Sequence, residues 1–540
     1  MTDETDHPTV PEVTRPRHHA IAPRIALALV AVLAALTFGV TTAEAEGTLG
    51  PHLARYEMTV DHLVTIDLGP LGSIVIDSPL PLVLGTHVVV QEIPAELTAL
   101  DQSATIDALS SDLERYVQFF GAPQSTIEAS ARALAVDAGQ RALAALALMV
   151  VVWWVGRRVL GATRRAELSI QLRRHAGLVA GGVALTLVVA GTITASGARP
   201  PGPDAAGQAS SVFDGTPLEG ARITGRLASL VDTYGAEALK AYRDNEAYYA
   251  AAADAVEQAW HTELAREETA AQLAGSRRPS VETVTALLVS DLHCNVGMAA
   301  VITRVAALAD VDLVLNAGDS TVDGTSVESY CVQTFADAVP AGVPYVIADG
   351  NHDSAQTAAT EKAVGAIVLS GHVVDVDGIR ILGDSDPNET RIGEGTRPKS
   401  DETATQEGER LAEVACDDGD VDLLLIHTPA VGEQALRRGC VPTQLSGHYH
   451  TRYGPVLLGE GVRYISASTA GALLNEPTVG PLRGTAEMTL LYLDADTHRV
   501  VRYRLVQVRP SGEAIVGPAV GWPTDLEPVP APRPGWVAPG

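Results

Sequence analysis

Three long apolar stretches interrupt the first 200 residues, and the pattern changes character after each. The first covers 25–43, the second 142–156 and the third 176–197. A membrane-spanning helix needs about 17–25 apolar residues, which the first and third supply. The second is short, but Trp153 and Trp154 close it, as aromatic residues do at a membrane interface. A buried core helix is its competing reading. The pattern predicts transmembrane helices over 25–43, 140–156 and 176–197.

Between the first two, polar and apolar positions alternate with period two. Tyr56-Glu57-Met58-Thr59-Val60, Ser73-Ile74-Val75-Ile76-Asp77 and Thr86-His87-Val88-Val89-Val90 read as strands, separated by Gly69-Pro70 and by Pro79 and Pro81. Residues 95–139 turn helical, with Leu97, Leu109, Leu113, Val117 and Phe120 among the apolar positions. We expect a small β-rich module over 44–139, with no chemistry of its own. Its expected roles are to pack on the rest of the chain or to orient it. Residues 198–213 are rich in Pro, Gly and Ala and read as a linker. Residues 216–272 are Ala-rich and helical by propensity; Tyr242, Tyr248 and Tyr249 there read as helix packing. Together 198–279 form a linker and helical segment.

From 280 the pattern becomes that of an α/β domain. Strand-like runs at 284–289, 311–315, 343–347, 421–426 and 443–445 alternate with helical stretches. After His450 strands follow alone, at 488–493 and 500–508. The domain ends near 510. Residues 1–24 and the Pro-rich 511–540 read as loose ends.

Charge adds a topology. The net charge of −28 excludes nucleic acid as the main partner, because phosphate backbones require a basic footprint. The cations that exist are clustered. Arg15, Arg17 and Arg24 precede the first span, and Arg157, Arg158, Arg164, Arg165, Arg173 and Arg174 fill 157–175 against the single acid Glu167. Residues 44–140 hold only Arg55, Arg115 and Arg132. The positive-inside rule then puts 1–24 and 157–175 in the cytoplasm, and 44–139 and everything after 198 outside. Ala43-Glu44-Ala45 also resembles a cleavage site, so the first span is an anchor or a removed signal peptide. Either way the expected location is a multi-pass cell-membrane protein with an extracytoplasmic catalytic domain.

The candidate chemistry lies in five short runs, each just after a strand-like stretch: Asp291-Leu292-His293, Gly318-Asp319, Gly350-Asn351-His352-Asp353, His427 and Gly447-His448-Tyr449-His450. Asp291 with His293, and His448 with His450, are two apart. On an extended backbone each pair points one way. Asp319 offers two carboxylate oxygens, enough to bridge two ions. Asn351 adds an amide oxygen and His427 an imidazole. Carboxylates, imidazoles and an amide suit Mn, Fe or Zn rather than Ca. With no Cys among them, a closed structural zinc site is disfavoured. Two such ions can hold a hydroxide between them to attack a phosphoryl group. His352, next to Asn351, suits a general acid or oxyanion stabiliser.

In these five runs residues 280–510 resemble the calcineurin-like metallophosphoesterase superfamily, whose pattern is DxH, GD, GNH[DE], H and GHxH. The resemblance implies a four-layer α/β/β/α sandwich with two divalent metal ions at the strand ends. It implies Asp291, His293 and His450 on one ion, Asn351, His427 and His448 on the other, Asp319 bridging, and His352 as proton donor. The protein-phosphatase branch carries a longer GDxxDRG motif. Here Gly318-Asp319-Ser320-Thr321-Val322-Asp323-Gly324 has its second Asp one position late and no Arg. A support role for Asp323 toward His352 is left open, and Asp353 can equally be a residue that holds the loop.

The expected function is a membrane-anchored phosphoesterase acting on a phosphomonoester or phosphodiester. A lipid-linked or cell-envelope substrate suits its place at the bilayer. A membrane-bound sensor or scaffold that binds a phosphorylated ligand without turnover is the alternative, and an inverted topology with a cytoplasmic catalytic domain is another. Residues 384–406 are a candidate substrate loop or a disordered insertion. Four cysteines in an extracytoplasmic setting predict disulfides. Cys416 and Cys440 precede the strands leading to His427 and His448, and pair if those strands are parallel neighbours. Cys294 and Cys331 follow the first two metal strands and pair near the site, unless Cys294 is a free thiol there.

Overall fold

The computed structural model describes residues 22–49, 52–81, 83–91, 123–161, 163–164, 167, 208–213, 220–275, 282–391, 395–473, 478 and 480–523. The third apolar stretch, the 95–122 part of the helical region expected over 95–139, and residues 1–21 and 524–540 lie outside these, whereas 511–523, read as part of a loose end, carries two short strands paired with the strand over 500–508.

Helix α1 (Ala22–Thr41) leads into a sheet of β1 (Glu44–Leu49), β2 (His52–Thr59), β3 (Leu63–Asp67), β4 (Ser73–Asp77) and β5 (Gly85–Val90). The three expected strands are there. Two more strands complete the sheet from far along the chain, β6 (Gln208–Ala209) and β7 (Arg222–Ile223). β7 pairs with β4, and the Thr224 hydroxyl meets the Ser73 hydroxyl at 2.8 Å. The stretch read as a linker therefore returns to the first module. Its two strands are too short to leave an alternation that sequence can show.

Helix α2 (Pro123–Val159) is a single rod of 37 residues, not a helical module followed at 140 by a separate span. Among the described residues it holds the one helix long and apolar enough to cross a membrane, Ser130–Val159; α1 has an apolar Ala28–Thr41 of shorter length. The two pack together, and Gly39 lets them close: a Cβ there would sit 2.2 Å from the Ala138 carbonyl. The start of α2 also packs on the sheet, with Ser130 buried and Leu134 against Ala54, Tyr56 and Val88, while Leu29, Leu33, Leu143, Leu148, Val152 and Trp153 are exposed.

Helix α3 (Arg226–Ala274) runs from the first sheet to the sandwich. Tyr249, Ala252, Val256 and Trp260 form its buried stripe. The Tyr249 hydroxyl donates to the Gly480 carbonyl at 2.7 Å, so this tyrosine is packing, as expected.

The sandwich has two sheets. The first orders β11 (Ile367–Val368), β10 (Tyr345–Ile347), β9 (Leu313–Asn316), β8 (Thr283–Val289), β20 (Ala486–Asp494), β21 (Val500–Val508) and β22 (Ala514–Val516), with β23 (Val520–Gly521) beside β21. The second orders β12 (Val374–Val376), β13 (Ile379–Leu382), β16 (Leu423–Leu425), β17 (Thr443–Ser446), β19 (Gly461–Ile465) and β18 (Tyr453–Leu458). A hairpin of β14 (Asn388–Arg391) and β15 (Gly395–Pro398) stands apart.

Alternation along the strands sets the layers. Ala286, Leu288, Leu313 and Leu315 face Ile381, Leu423, Leu425 and Leu445 between the sheets. Leu287, Val289, Val314 and Ile347 face outward onto α3, α4 (Met298–Ala309) and α5 (Ser329–Asp337). On the far side Leu382 and Leu424 meet α7 (Ala404–Asp418) and α8 (Glu433–Arg437). The remaining helix, α6 (Ala355–Ala363), starts at Ser354, whose hydroxyl caps the Gln356 and Thr357 amides. This is an α/β/β/α arrangement, buried on both faces of each sheet, as strands of nearly continuous Leu and Val require.

Candidate metal centre

Strands β8, β9 and β10 are parallel neighbours in one sheet, and β16 and β17 in the other. The loops after all five leave from the same edge, and each carries one of the motif runs. Open α/β sheets bind ligands at this carboxyl edge.

The local backbone differs from expectation. Asp291, His293, Asp319, His448 and His450 have φ of 52°, 40°, 58°, 74° and 53°. The two-apart pairs thus sit on left-handed turns, not on extended chain. Each such residue costs about 1–3 kcal/mol and persists where surrounding bonds enforce it. Here the Asp291 amide donates to Gly318 and the His293 amide to Asp319, both at 2.9 Å. The motif glycines permit the crowding. A Cβ on Gly350 would lie 2.1 Å from Asp319 Oδ1, and one on Gly447 would lie 1.8 Å from Ser290 Oγ.

All seven expected ligand side chains converge. His293 Nε2 is 3.1 Å from His450 Nε2 and 3.8 Å from Asp319 Oδ2. His450 Nε2 is 3.4 Å from Asp291 Oδ1. On the other side His448 Nδ1 is 2.9 Å from Asn351 Oδ1 and 3.2 Å from His427 Nε2. His427 Nε2 is 3.1 Å from Asp319 Oδ2, which therefore lies between the two groups. Ligand atoms of Asp291, His293, Asp319 and His450 all fall within 4.8 Å of one another.

Residues 284–452 match the family model described as calcineurin-like phosphoesterase. This region is a calcineurin-like phosphoesterase domain. No curated protein matches the chain. Among solved structures, an archaeal phosphodiesterase is 14% identical over 42% of this chain and 100% of its own, with a TM-score of 0.27. The NAD nucleotidase of Haemophilus influenzae is 14% identical over 44% of this chain and 49% of its own, TM-score 0.25. A purple acid phosphatase from yellow lupin is 13% identical over 46% and 55%, TM-score 0.29. The family match alone identifies the phosphoesterase domain.

The electrostatics of the domain call for cations. Burial works against the charged forms, yet Asp319 is held well below the usual carboxylate range by His427, His293 and His352. Burial also opposes Asp291, which His450 and His427 nonetheless pull down. Burial alone would depress His427, but Asp319 and Asp291 outweigh it and push its pKa up to about 10. Beside it His293 falls to about 4, mainly through burial. Two buried carboxylates thus face a cluster of imidazoles, an arrangement that favours positive charge between them. The ring orientation agrees. His427 Nδ1 donates to the Ala317 carbonyl at 2.7 Å, which turns the Nε2 lone pair inward, as ligating histidines require. The donor set fits divalent metal ions.

His352 stands at the rim, its ring 5.0 Å from that of His293. Its support is the Val322 carbonyl, which accepts from Nδ1 at 2.5 Å. Nε2 is then the ring atom able to exchange a proton. Asp353 is a loop holder. Its carboxylate accepts from the Asp319, Ser320, Thr321 and Gly350 amides and from the Thr321 hydroxyl, entirely buried.

Three further contributors have no motif. Ser290 Oγ donates to Asp291 at 2.5 Å. Thr390 accepts from the Asn351 amide at 2.8 Å, fixing which atom faces His448. Arg391 donates to the His352 carbonyl at 3.1 Å. The last two belong to β14, so this part of the 384–406 stretch, expected as a substrate loop or a disordered insertion, is a strand bonded to Asn351 and His352. Thr390 was within reach of sequence through that 384–406 reading; the Val322 carbonyl was not. Both expected disulfides form, Cys294–Cys331 beside His293 and Cys416–Cys440, and Cys294 is not a free thiol.

Proposed function

We propose that the chain is a membrane-anchored phosphoesterase, with its catalytic domain outside the cytoplasm, that hydrolyses a phosphomonoester or phosphodiester. The carrying observation is the convergence of Asp291, Asp319, His293, His427, His448, His450 and Asn351 beside His352. Asp291, His293 and His450 would hold one divalent ion, Asn351, His427 and His448 a second, with Asp319 shared. Mn, Fe or Zn suits these donors. When bound, the ions supply Lewis acidity toward phosphoryl oxygens and lower the pKa of water. His352 Nε2 would give the leaving oxygen its proton, with the Val322 carbonyl holding the ring in the required tautomer. Asp353 keeps the Asp319 and Gly350 loops in register, and Thr390 keeps the Asn351 amide oxygen facing inward.

The membrane part is supported by charge and by chain path. Glu44 and Asp137 lie where α2 meets the sheet, with Arg141 paired to both at 2.7 and 2.6 Å. Arg157 and Arg158 stack on Trp153 and Trp154 at the other end. The 138–156 segment between Asp137 and Arg157 is about 28 Å long, close to a bilayer core. Since β5 and β6 share one sheet, a chain that crosses at α2 must cross back before Gln208. The apolar 176–197 stretch lies in that interval. An acidic surface facing the envelope suits a lipid-linked or cell-envelope phosphoester better than a nucleic acid.

The test is the detergent-purified chain with Mn, Fe or Zn and a panel of phosphoesters. Hydrolysis in proportion to bound metal is expected. A fully loaded protein that turns over none of them removes the reading. For topology, a C-terminal reporter active only outside the cytoplasm should be active; a silent one with an active cytoplasmic counterpart inverts the orientation.

A further inference from the structure

Beside His450 a cavity of about 310 Å³ opens to solvent. Ligand pockets run about 300–1,000 Å³, so this one takes a single compact organic group. One wall is aliphatic, from Ala467, Ala472 and Leu473. Leu473 stands at the mouth, 44% exposed, one of few large apolar side chains bare in this domain. The opposite wall is polar and electrically neutral. Arg452 Nε lies 2.9 Å from the buried Glu487 carboxylate, whose other oxygen accepts from Gln507 at 2.6 Å. The Arg452 charge is thus paired with that of Glu487, and the two together leave no net charge on this wall.

Position decides what the cavity holds. A leaving alcohol must reach His352 Nε2 to receive its proton. The His293 ring neighbours both, 5.0 Å from the His352 ring and 5.0 Å from the His450 ring. The cavity begins at His450, and His352 does not line it. A group in the cavity is therefore not the one that departs.

We propose that this cavity receives the retained alcohol of a phosphodiester, an uncharged, partly apolar organic group; the proposal rests on the hydrolase reading above. The water oxygen bonds to phosphorus, and the bond from phosphorus to the leaving alcohol breaks. That alcohol takes its proton from His352, which recovers one from the attacking water. The ester bond to the alcohol in the cavity stays intact, and the product is a phosphomonoester. A monoester substrate has no second alcohol and leaves the cavity empty.

Two probes with one leaving group separate the cases: bis(4-nitrophenyl) phosphate and 4-nitrophenyl phosphate. On the metal-loaded full chain, Leu473→Trp should lower the diester-to-monoester ratio of kcat/KM about tenfold, the scale of a steric mismatch in an apolar pocket. Ala472→Phe, filling from the other side, should shift it the same way. An unchanged ratio in both variants overturns the proposal. If the wild type turns over neither ester, the hydrolase reading fails separately, and calorimetric binding of the two probes with Mn takes over. The diester binding more tightly than the monoester, and losing that margin in Leu473→Trp, would keep the cavity assignment; equal affinities would end it.

Discussion

The sheet of β1 to β7 and the sandwich of β8 to β23 are both mixed β structures, yet different things bring their strands together. In the sandwich, β8, β9 and β10 follow one another through α4 and α5 and pair in chain order, parallel. In the first sheet, β5 ends at Val90 and the chain returns only at Gln208 to add β6 and β7. Chain-order pairing builds the part of the edge that carries Asp291, Asp319 and Asn351, while distant returns close both sheets, β20 on β8 with Thr489 beside Leu288 and β7 on β4. A region whose contacts are local carries its chemistry in short motifs. One closed at long range shows little of itself in any window of sequence.

The comparison is most exposed at the shared ligand. Asp319→Asn should bring activity to background and strip bound metal, read together by turnover and elemental analysis. Full metal content with wild-type turnover would dissolve the proposed centre. His352→Ala should keep its metal and lose turnover by about 10²–10⁴-fold, the range of general acid catalysis. Wild-type rates would remove His352 from the reaction.

The first sheet should behave oppositely. Ile223 of β7 is 3% exposed. Ile223→Ala should destabilise that sheet by about 2–5 kcal/mol, seen in chemical denaturation, while kcat/KM stays within about twofold. Turnover falling in step with stability would join the two regions into one cooperative unit, through β1 and β2 against residues 326–328.

The smallest effect is a pH dependence inside the sandwich. Glu407 on α7 is buried, and burial, with Asp384 and Asp386 nearby, raises its pKa from 4.5 to about 8. A raised carboxyl pKa means the folded chain binds the proton more tightly than the unfolded one. Its stabilising effect is whole below pH 4.5 and is lost as pH rises toward 8. Glu407→Gln should flatten that window and gain about 1–2 kcal/mol at pH 8 after allowance for screening. A thermal-denaturation series across pH that leaves the wild-type slope in place would refute this.

What sequence could reach follows from the kind of atom involved. Asp291, His293, Asp319, Asn351, His427, His448 and His450 act through side chains, so their types, order and strand-end positions were readable. Cys416 and Cys440 were pairable in advance because β16 and β17 are parallel neighbours. The geometry carrying the ligands was not readable. The left-handed turns at Asp291 and His450 replaced an expected extended backbone, because two loops cross-bonded at Asp319 leave no room for one. β12, β18 and β19 went unseen although β12 pairs with the adjacent β13 and β18 with the adjacent β19, because strands this short show no period of their own.

By itself the sequence determined a donor set, its order, an apolar first third and a polarity of charge around it, since these depend on what each side chain is. The tertiary structure alone decided that the Val322 carbonyl steadies His352, that Thr390 turns the Asn351 amide, and that β6 and β7 finish a sheet begun at Glu44. A backbone carbonyl has no residue signature, and the meeting of groups far apart in the chain depends on strand order, which no local pattern encodes.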